Sequence, residues 1–359
     1  MELDGIEVLC KDIFLNAKWD NRICVLFEEG EIYEKLKEKS DKIFSLKNEN
    51  RNKKKIVEKI VQYCNNEKID IITVHHGGVS CNIIYIMLKK KLKNVKFVRY
   101  LHGSFDQYSF GNGENRLKDF VVKKVMKKAF EVSDLLVFIS KAVEKTFTDV
   151  FKIDNKNKAI IYNGINNTFF NNISEEKKED IIYVGRLSKV KGLDVFLNAL
   201  NKVYDENQNV STTFVGDGEE RQKLEKMVQD FKMEDKVQFV GTQSNVINWL
   251  DSKSIFVYPS ICAEGFGISV AEAMSRGCIP VAFRKGGLPE LIENGKNGYL
   301  IDEVSEEKLA NKILDILNLP DEKIDSLREN AIQTARKFSI DNTINELEEQ
   351  YEKLIDRKN

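Results

Sequence analysis

The sequence predicts an α/β protein made of two Rossmann-like domains that face each other across a cleft. The chain has 359 residues, more than a single hydrophobic core ordinarily serves. Short β-branched runs alternate with amphipathic stretches along nearly the whole sequence, as they do in parallel α/β layers. The alternation starts afresh at Asp180–Gly185, after a polar stretch. Two successive βα series, and therefore two domains, follow from these observations.

Each series contains six predicted strands with helical patterns between them. The strands of the first series are Arg22–Phe27, Lys42–Leu46, Asp70–His75, Lys96–Leu101, Leu135–Ile139 and Ala159–Tyr162. Its helical patterns include Arg51–Cys64, Ser80–Leu92, Arg116–Val132 and Ser140–Val150. The strands of the second series are Asp180–Gly185, Ser211–Val215, Lys236–Val240, Ser254–Tyr258, Ile279–Phe283 and Gly298–Ile301.

The domain boundaries follow from the same patterns. The first domain spans residues 1–163 and the second spans residues 180–337. The linker between them, residues 164–179, is rich in asparagine, charged at its end and without periodicity. Residues 338–359 contain one amphipathic helix, Ser339–Ile355, which we expect to pack back toward the first domain. Its apolar stripe consists of Ile340, Ile344, Leu347, Tyr351 and Leu354.

The composition is that of an ordinary globular protein. Hydrophobic residues make up 42% of the chain, charged residues make up 31%, and the formal net charge is −1. No stretch approaches the roughly 18 apolar residues of a membrane span, and no basic start precedes an apolar run. The six cysteines form no C-x-x-C pair, which favours reduced thiols. We therefore expect a cytoplasmic protein, and we predict no nucleic acid partner.

The loop after the first strand of the second domain carries two cations beside a glycine. Gly185 ends the strand, and Arg186 and Lys191 follow on the way to the next helix. The arginine fork and the lysine point charge suit a diphosphate. A solvated basic loop would present the same residues, so this loop alone leaves both interpretations open.

Two further loops of this domain carry weaker signals. Gly216–Glu219 forms a turn between a strand and a helix, which many left-handed turns resemble. Gly241-Thr242 follows the strand Lys236–Val240, close to where a nucleotide base could stack. Neither loop is specific by itself.

The fourth loop gives the sharpest prediction. The strand ends at Pro259, and a helix begins near Gly267, whose first turn offers N–H groups to a phosphate. Glu264 precedes the turn and is expected to point into the cleft toward a sugar. Glu272 lies about one and a half turns into the helix, within reach of a ribose diol. Glu272 could also be an exposed helix position, but its neighbours are apolar, and an unpaired carboxylate in a buried helix is costly.

Together these residues resemble the retaining glycosyltransferases of family four, also called group-one glycosyltransferases, which have the GT-B architecture. The resemblance covers roughly Ile160 to Ile301. Its motifs are V-G-R-L-x-x-x-K-G at Val184–Gly192, G-D-G at Gly216–Gly218, F-x-G at Phe239–Gly241, E-G-F-G-x-x-x-x-E-A-M at Glu264–Met274, G-x-x-P-V-A at Gly277–Ala282 and G-G-x-x-E at Gly286–Glu290. In the first domain, Leu101–Gly103 resembles the family's histidine-glycine step, and Tyr162–Ile165 resembles its interdomain turn.

The resemblance implies a role for each matching residue. Arg186 and Lys191 would neutralise the donor diphosphate and stabilise the departing nucleotide. Glu272 would bind the ribose, and Glu264 would hold hydroxyls of the transferring sugar. His102 would face the anomeric centre from the opposite domain. The rest of the implied donor-binding set is Gly185, Gly216, Gly241, Gly265, Phe266, Gly267 and Ile268, with the amides of Phe266 and Gly267 meeting sugar or phosphate oxygens.

The resemblance also implies the reaction. A sugar would pass, with retention, from a nucleotide diphosphate donor to a hydroxyl acceptor, with a UDP-sugar expected as donor and a GDP-sugar as the alternative. The protein would contribute positioning and electrostatic stabilisation of the leaving phosphate. No carboxylate or His/Cys group has metal-ligand spacing, so we expect no cofactor and metal-independent catalysis. A role in surface polysaccharide or glycolipid synthesis follows by analogy only.

Two features of the first domain leave alternatives open. His75 and His76 end a strand; one of them either lines the acceptor side or is a packed or surface histidine. Between Lys89 and Lys128, twelve basic residues stand against three acidic ones, which leaves about −10 for the rest of the chain. The segment Lys118–Lys128 could therefore dock on the inner face of the cell membrane and reach a lipid-linked glycan acceptor. It could equally be a solvated helix whose apolar face packs on the sheet.

The start of the sequence departs from the resemblance. Relatives open with an apolar strand and a glycine-rich loop, whereas this sequence runs from Met1 directly into a helical pattern. We therefore expect the first strand of the N-terminal domain to be missing and an open sheet edge near Asp70–His75. Two other functions remain open: a nucleotide-sugar 2-epimerase of the same architecture, and a non-catalytic partner subunit of a glycosyltransferase.

Overall fold

The structure, a computed structural model, describes residues 5–27, 29–49, 52–75, 78–103, 116–153, 157–174 and 178–356. The chain divides into two compact units, each built of parallel strands and helices. The first unit comprises Met1–Gly164 and Ile340–Asn359, and the second comprises Ile165–Ser339.

Strands and helices alternate through the first unit. In chain order they are α1 (Gly5–Asn16), β1 (Ile23–Val25), α2 (Glu31–Lys37), β2 (Ile43–Ser45), α3 (Lys53–Asn66), β3 (Ile71–Val74), α4 (Val79–Lys91), β4 (Lys96–Leu101), α5 (Arg116–Glu131), β5 (Leu135–Phe138), α6 (Lys141–Phe151) and β6 (Lys158–Ile160). The strands form two parallel sheets, one of order β1-β2 and one of order β3-β4-β5-β6. Among the described residues, β4 is the only strand that pairs with β3, so Ile71–Val74 is an edge strand, as the sequence predicts for this region.

One apolar cluster underlies both sheets of the first unit. Helix α3 starts at the cap residue Asn52, whose side chain accepts hydrogen bonds from two backbone amides of the first turn. Its fully buried residues Ile56 and Val57 belong to the same cluster as Phe44 of β2 and Ile72 of β3. The shared core therefore keeps the two sheets in one unit although no strand pairing joins them in the described part of the chain.

The second unit has a single six-stranded sheet. Its elements are β7 (Lys178–Val184), α7 (Leu193–Glu206), β8 (Thr212–Val215), α8 (Arg221–Asp230), β9 (Val237–Phe239), α9 (Ile247–Asp251), β10 (Lys253–Tyr258), α10 (Ile268–Ser275), β11 (Ile279–Phe283), α11 (Leu288–Leu291), β12 (Tyr299–Ile301), α12 (Glu306–Leu317) and α13 (Asp321–Arg336). The strand order is β12-β11-β10-β7-β8-β9, with every pair parallel. The central runs Ile181–Tyr183 and Ile255–Val257 are almost completely buried, as expected when helices cover both faces of a parallel sheet.

The last helix, α14 (Ile340–Asp356), belongs to the first unit. Its buried residues Ile340 and Ile344 pack with Leu9 of α1. Further along the helix, the hydroxyl of Tyr351 is hydrogen-bonded to that of Thr73 on β3, with an O–O distance of 2.8 Å. The apolar stripe predicted for the C-terminal helix thus packs against elements of the first unit.

All twelve predicted strands are present, each within two residues of its predicted bounds. The predicted linker, residues 164–179, differs from the observed division, because its described part from Ile165 to Ser174 belongs to the second unit. The backbone amide of Ile165 donates to the carbonyl of Phe338 (2.9 Å), and a short 3-10 helix follows at Asn167–Phe170. Among the described helices, none combines the length and apolar character that crossing a bilayer requires.

Candidate active site

The sheet order of the second unit creates one switch point, between β7 and β10. From β7 the chain proceeds through β8 and β9 in one direction, and from β10 it proceeds through β11 and β12 in the other. The loops after β7 and β10 therefore leave the carboxyl edge of the sheet side by side, which is where open parallel sheets bind ligands. Both loops carry residues that the sequence analysis assigns to the donor.

Backbone contacts tie these two loops together. Gly192 has a φ of +63°, and a side-chain carbon there would lie 2.4 Å from the carbonyl oxygen of Pro259. Two residues after Pro259, the amide of Ile261 donates to the carbonyl of Val190 (3.0 Å). A glycine at position 192 is what permits this approach.

The approach brings Lys191 and Glu264 into direct contact. The Nζ of Lys191 donates to Oε1 of Glu264 at 2.8 Å and to the hydroxyl of Tyr258 at 2.7 Å. The ammonium also lies 5.0 Å from the centre of the Tyr258 ring. The cation and the carboxylate are 73 residues apart in the chain, and the structure places them at the switch point as one ion pair.

Two further side chains donate to the same carboxylate oxygen. The hydroxyl of Ser260, which is fully buried, and the thiol of Cys262 (3.6 Å) both donate to Oε1 of Glu264. Burial raises the pKa of Tyr258 well above its usual value, and the neighbouring Glu264 carboxylate raises it further. Burial likewise raises the pKa of the Cys262 thiol. Tyr258 and Cys262 therefore remain protonated beside a carboxylate that is 8% exposed.

The G-G-x-x-E motif shapes the backbone of Glu264. Gly286 has a φ of +52°, and a side-chain carbon there would lie 2.0 Å from the Glu264 carbonyl oxygen. The amide of Gly287 donates to that same oxygen at 2.8 Å, and Gly287 also packs against Gly265. The two glycines thus form the support on which the Glu264 loop rests.

Helix α10 starts in the predicted place. Gly267 is its N-cap with a φ of +92°, and Ile268 is its first residue. The side chain of Phe266 is buried and packs edge-on against Phe338 at 5.2 Å between ring centres, so only its backbone faces the loop. Glu272 is partly buried on a helix whose neighbouring residues are completely buried, which agrees with the apolar flanks in the sequence.

The glycines after the neighbouring strands pack backbone against backbone. A side-chain carbon on Gly216 (φ +133°) would lie 2.0 Å from the carbonyl oxygen of Gly185. The amide of Gly216 donates to the carbonyl of Gly241 at 2.9 Å. The predicted residues Gly185, Gly216 and Gly241 are thus brought together through their main chains. Arg186 follows Gly185 with an exposed side chain, and its carbonyl accepts from the hydroxyl of Tyr183 at 2.8 Å.

Tyr258 and Ser260 were missed by the sequence analysis. Both lie at the carboxyl end of β10, where polar side chains follow a hydrophobic strand, and that position is the signal that could have identified them. Among the residues that the structure describes, no group of three or more His, Cys, Asp and Glu side chains is arranged to hold a metal ion.

In the first unit, His102 lies directly after β4 and His75 directly after β3. Nε2 of His102 and Nδ1 of His75 are 2.9 Å apart. The His102 ring stacks on Tyr100, with 4.7 Å between ring centres and 8° between planes. Burial, then the neighbouring His75 and Arg99, hold the pKa of His102 well below its usual value, so its ring is neutral. His76 lies outside the described residues.

Two family models match the chain. The model described as glycosyl transferases group 1 matches residues 164–338, and the model described as glycosyltransferase family 4 matches residues 16–169. Among similar proteins, N-acetyl-α-D-glucosaminyl L-malate synthase of Bacillus anthracis is 26% identical over 292 residues, 79% of this chain and 73% of that protein. The amylovoran biosynthesis glycosyltransferase of Erwinia amylovora is 33% identical over 141 residues, 37% of this chain and 35% of that protein.

The fold matches a solved structure over almost its whole length. The crystal structure of HepE of Anabaena in complex with UDP and glucose has a TM-score of 0.81 and 21% identity, and the match covers 98% of this chain and 96% of that one. The same protein has also been solved with UDP-glucose. The family models, the parallel α/β units and this likeness agree, and the chain therefore belongs to the group 1 glycosyltransferases and has their GT-B fold of two Rossmann-like units.

Proposed function

We propose that this glycosyltransferase moves a hexose from a UDP-sugar to a hydroxyl acceptor with retention of the anomeric configuration. The observation that carries the proposal is the Lys191–Glu264 pair at the switch point, beside the exposed Arg186 and the start of α10. UDP is favoured over GDP because HepE, which shares the fold, was solved with UDP and with UDP-glucose.

Each charged residue of the site has a separate task in the proposal. Arg186 and Lys191 neutralise the diphosphate as it departs, a task for which preorganised cations in a partly buried site are effective. Glu264 accepts hydrogen bonds from hydroxyls of the transferring sugar, and Glu272 accepts them from the ribose. The amides of Phe266, Gly267 and Ile268 meet the oxygens of the sugar or the phosphate.

The transfer itself exchanges one bond at the anomeric carbon for another. The bond from that carbon to the diphosphate oxygen breaks, and the nucleotide leaves with the electron pair. The acceptor oxygen forms its bond to the same face of the carbon, and its proton passes to the departing diphosphate. His102, buried and neutral, contacts the sugar near the reacting centre in this proposal. Catalysis needs no metal, because the two cations balance the charge of the leaving group.

Calorimetry with bare nucleotides tests the donor assignment. We expect UDP to bind more tightly than GDP or ADP, and Arg186→Ala or Glu272→Ala to weaken UDP binding at least about 10-fold, since each removes a charged hydrogen bond. Matched controls on helix α12, Lys308→Ala and Glu306→Ala, should bind UDP normally. Wild-type affinity in both site variants would overturn the assignment, and preferred binding of GDP would overturn the choice of base.

Product stereochemistry tests the retention. With an α-linked UDP-hexose and a panel of alkyl glycosides as acceptors, proton NMR should show an α-linked product in the first turnovers, with and without EDTA. A β-linked first product would overturn retention, and loss of turnover in EDTA would overturn metal independence. Conversion of the donor to its 2-epimer would favour the epimerase, and UDP binding without any turnover would favour the partner subunit.

The solvent face of α5 is the feature on which we base the proposed location of the acceptor. Phe120 and Val121 are 62% and 49% exposed, whereas Met126 and Phe130 on the opposite face are buried. Exposed lysines continue the same solvent face: Lys123, Lys124, Lys127 and Lys128. Apolar side chains next to several cations suit the surface of an anionic bilayer. We assign this face to peripheral contact with the inner face of the cell membrane, where a lipid-linked glycan of surface polysaccharide or glycolipid synthesis would be the acceptor.

Vesicle flotation tests the membrane contact. The protein should float with vesicles of phosphatidylcholine and phosphatidylglycerol at low salt, and binding should fall as salt rises. Replacing Lys123, Lys124, Lys127 and Lys128 with Gln should abolish flotation. A charge-matched control replaces Lys226, Lys296, Lys308 and Lys323, which are exposed in the second unit. Equal flotation of the two variants, or equal recovery with neutral vesicles, would overturn the assignment.

A further inference from the structure

The three rings at the ends of β3 and β4 form one compact group. The ring centres of His75, Tyr100 and His102 lie between 4.7 and 5.1 Å from one another. Tyr100 is completely buried, and its hydroxyl donates to the carbonyl of Ile161 at 3.3 Å. The rings cannot rotate independently in such a stack, so the orientation of each depends on the other two.

The hydrogen bond between the histidines constrains their protons. Burial and the Arg99 cation lower the pKa of His75 to about 4, and His102 is likewise neutral near pH 7. A neutral imidazole has one donor and one acceptor nitrogen. Only one proton can lie between Nδ1 of His75 and Nε2 of His102, so a donor at one nitrogen requires an acceptor at the other.

The second ring nitrogen of His102, Nδ1, is available to bind a ligand. Nδ1 of His102 is buried and has no hydrogen-bond partner among the described residues. A buried polar atom in that state is costly unless a ligand satisfies it. Its character, donor or acceptor, is the opposite of that at Nε2 and is therefore coupled, through the shared bond, to the tautomer of His75.

We propose that His75 is a positioning residue that holds His102 in one tautomer and one ring orientation, with Nδ1 presented to the sugar of the donor. The proposal rests on the proposed function for its substrate. His75 does not touch the sugar; it acts through the hydrogen bond to Nε2, as a group that orients a functional histidine does in other enzymes.

NMR of the imidazole nitrogens tests the tautomers without needing activity. The chain has three histidines, so nitrogen-15 labelling gives three sets of ring signals, and His75 and His102 can be assigned by variants. At pH 7 we expect each of the two rings in a single tautomer, with one nitrogen of the shared bond protonated and the other accepting its proton. In His75→Ala the signals of His102 should move to averaged positions of two exchanging tautomers, and in His75→Asn, whose amide can still bond Nε2, they should return to one form.

Kinetics tests the consequence for transfer. His75→Ala should lower kcat at least about 10-fold while KM for the UDP-sugar changes less than about 2-fold. His75→Asn should recover most of kcat, and adding His75→Ala to His102→Ala should cost little more than His102→Ala alone. The control is Thr73→Val, which removes the bond to Tyr351 from the same strand and should leave kcat unchanged.

Two results would overturn the proposal: a single unchanged tautomer of His102 in His75→Ala, or a kcat that falls equally in Thr73→Val. If the wild-type protein transfers no sugar while the tautomers behave as described, the proposed function fails and the positioning by His75 stands. If transfer is normal and the tautomer of His102 does not change in His75→Ala, the proposed function stands and the positioning by His75 fails.

Discussion

The two units are made of the same parallel βα repeats, but their sheets differ in continuity. In the second unit β7 is paired on both sides, with β10 and β8, and six strands form one sheet. In the first unit the strands divide into a pair and a set of four, and the comparable position next to β3 carries no paired strand among the described residues. The shared cluster around α3 and the helix α14 hold the first unit together instead.

The candidate sites of the two units also differ, in what positions their functional side chains. In the second unit, glycines pack main chain against main chain, and the charged pair is positioned by the loops that these contacts join. In the first unit, side chains do the positioning, through three stacked rings and one hydrogen bond. We conclude that substitutions of glycine should damage the second site most, whereas the first site should depend on particular side chains and on pH. The two tryptophans, Trp19 in the first unit and Trp249 in the second, allow unfolding to be followed in each unit separately.

The largest effect is expected from Gly286→Ala. The new carbon would overlap the Glu264 carbonyl oxygen at 2.0 Å in a left-handed backbone conformation. We expect the free energy of unfolding of the second unit to fall by more than about 3 kcal/mol and UDP binding to be lost. The control is Gly295→Ala, where φ is +77° but no atom lies within 4 Å, and where only about 1 kcal/mol should be lost. Urea unfolding followed at Trp249 measures both, and equal losses would show that close packing at Gly286 is unimportant.

The next effect concerns the ion pair of the second unit. Lys191→Ala leaves the buried Glu264 carboxylate without its cation, which should cost about 2–3 kcal/mol of stability. Adding Glu264→Gln should restore part of this loss, because no charge then remains buried. Arg284→Ala, which breaks a more exposed pair with Asp302, should cost less than about 1 kcal/mol. Additive losses in the double variant, measured by urea unfolding, would contradict a direct coupling.

A pH effect is expected in the first unit. His75 has a pKa of about 4 in the folded protein against about 6.5 when unfolded, so the unfolded chain binds the proton more readily. The stability that the neutral ring provides is complete above about pH 6.5 and is lost as pH falls toward 4, on the order of 3 kcal/mol. Unfolding followed at Trp19 should show this slope, and His75→Asn should reduce it. An unchanged slope in that variant would assign the pH dependence to other groups.

The smallest effect concerns the bond between α14 and the edge strand. Tyr351→Phe removes the hydroxyl that bonds Thr73 but keeps the ring that packs edge-on against Trp19. The first unit should lose about 1 kcal/mol, and the second unit should lose nothing. Thermal unfolding followed at Trp19 and at Trp249 separates the two. A loss shared equally by both tryptophans would show that the units unfold as one.

The strands could be predicted because a short hydrophobic run next to turn residues indicates a buried strand. Ile181–Tyr183 and Ile255–Val257 read as continuous apolar segments and are the buried centre of their sheet. Glu264 and Lys191 could be selected because each follows a strand at the edge where ligands bind. The charges and the positions along the chain were sufficient for that choice.

The contacts within the sites could not be predicted in the same way. The bond between Lys191 and Glu264 depends on how closely two loops approach, and that approach is set by the left-handed turns at Gly192 and Gly286. The partnership of His75 and His102 depends on the register between β3 and β4, which the hydrophobic pattern of the two strands does not determine by itself. Local sequence patterns identify the candidate residues, whereas tertiary geometry determines which of them form hydrogen bonds.

The place where the chain passes from one unit to the other has a practical consequence. Ile165 and Ser339, the first and last residues of the second unit, form a parallel bridge, so this unit is an insertion whose two ends meet. Such an insertion is a natural candidate for excision, because its ends require no new connection across the molecule. The fragment 165–339 should fold as a separate nucleotide-binding protein, and closing its ends into a ring should stabilise it by reducing the freedom of the unfolded chain.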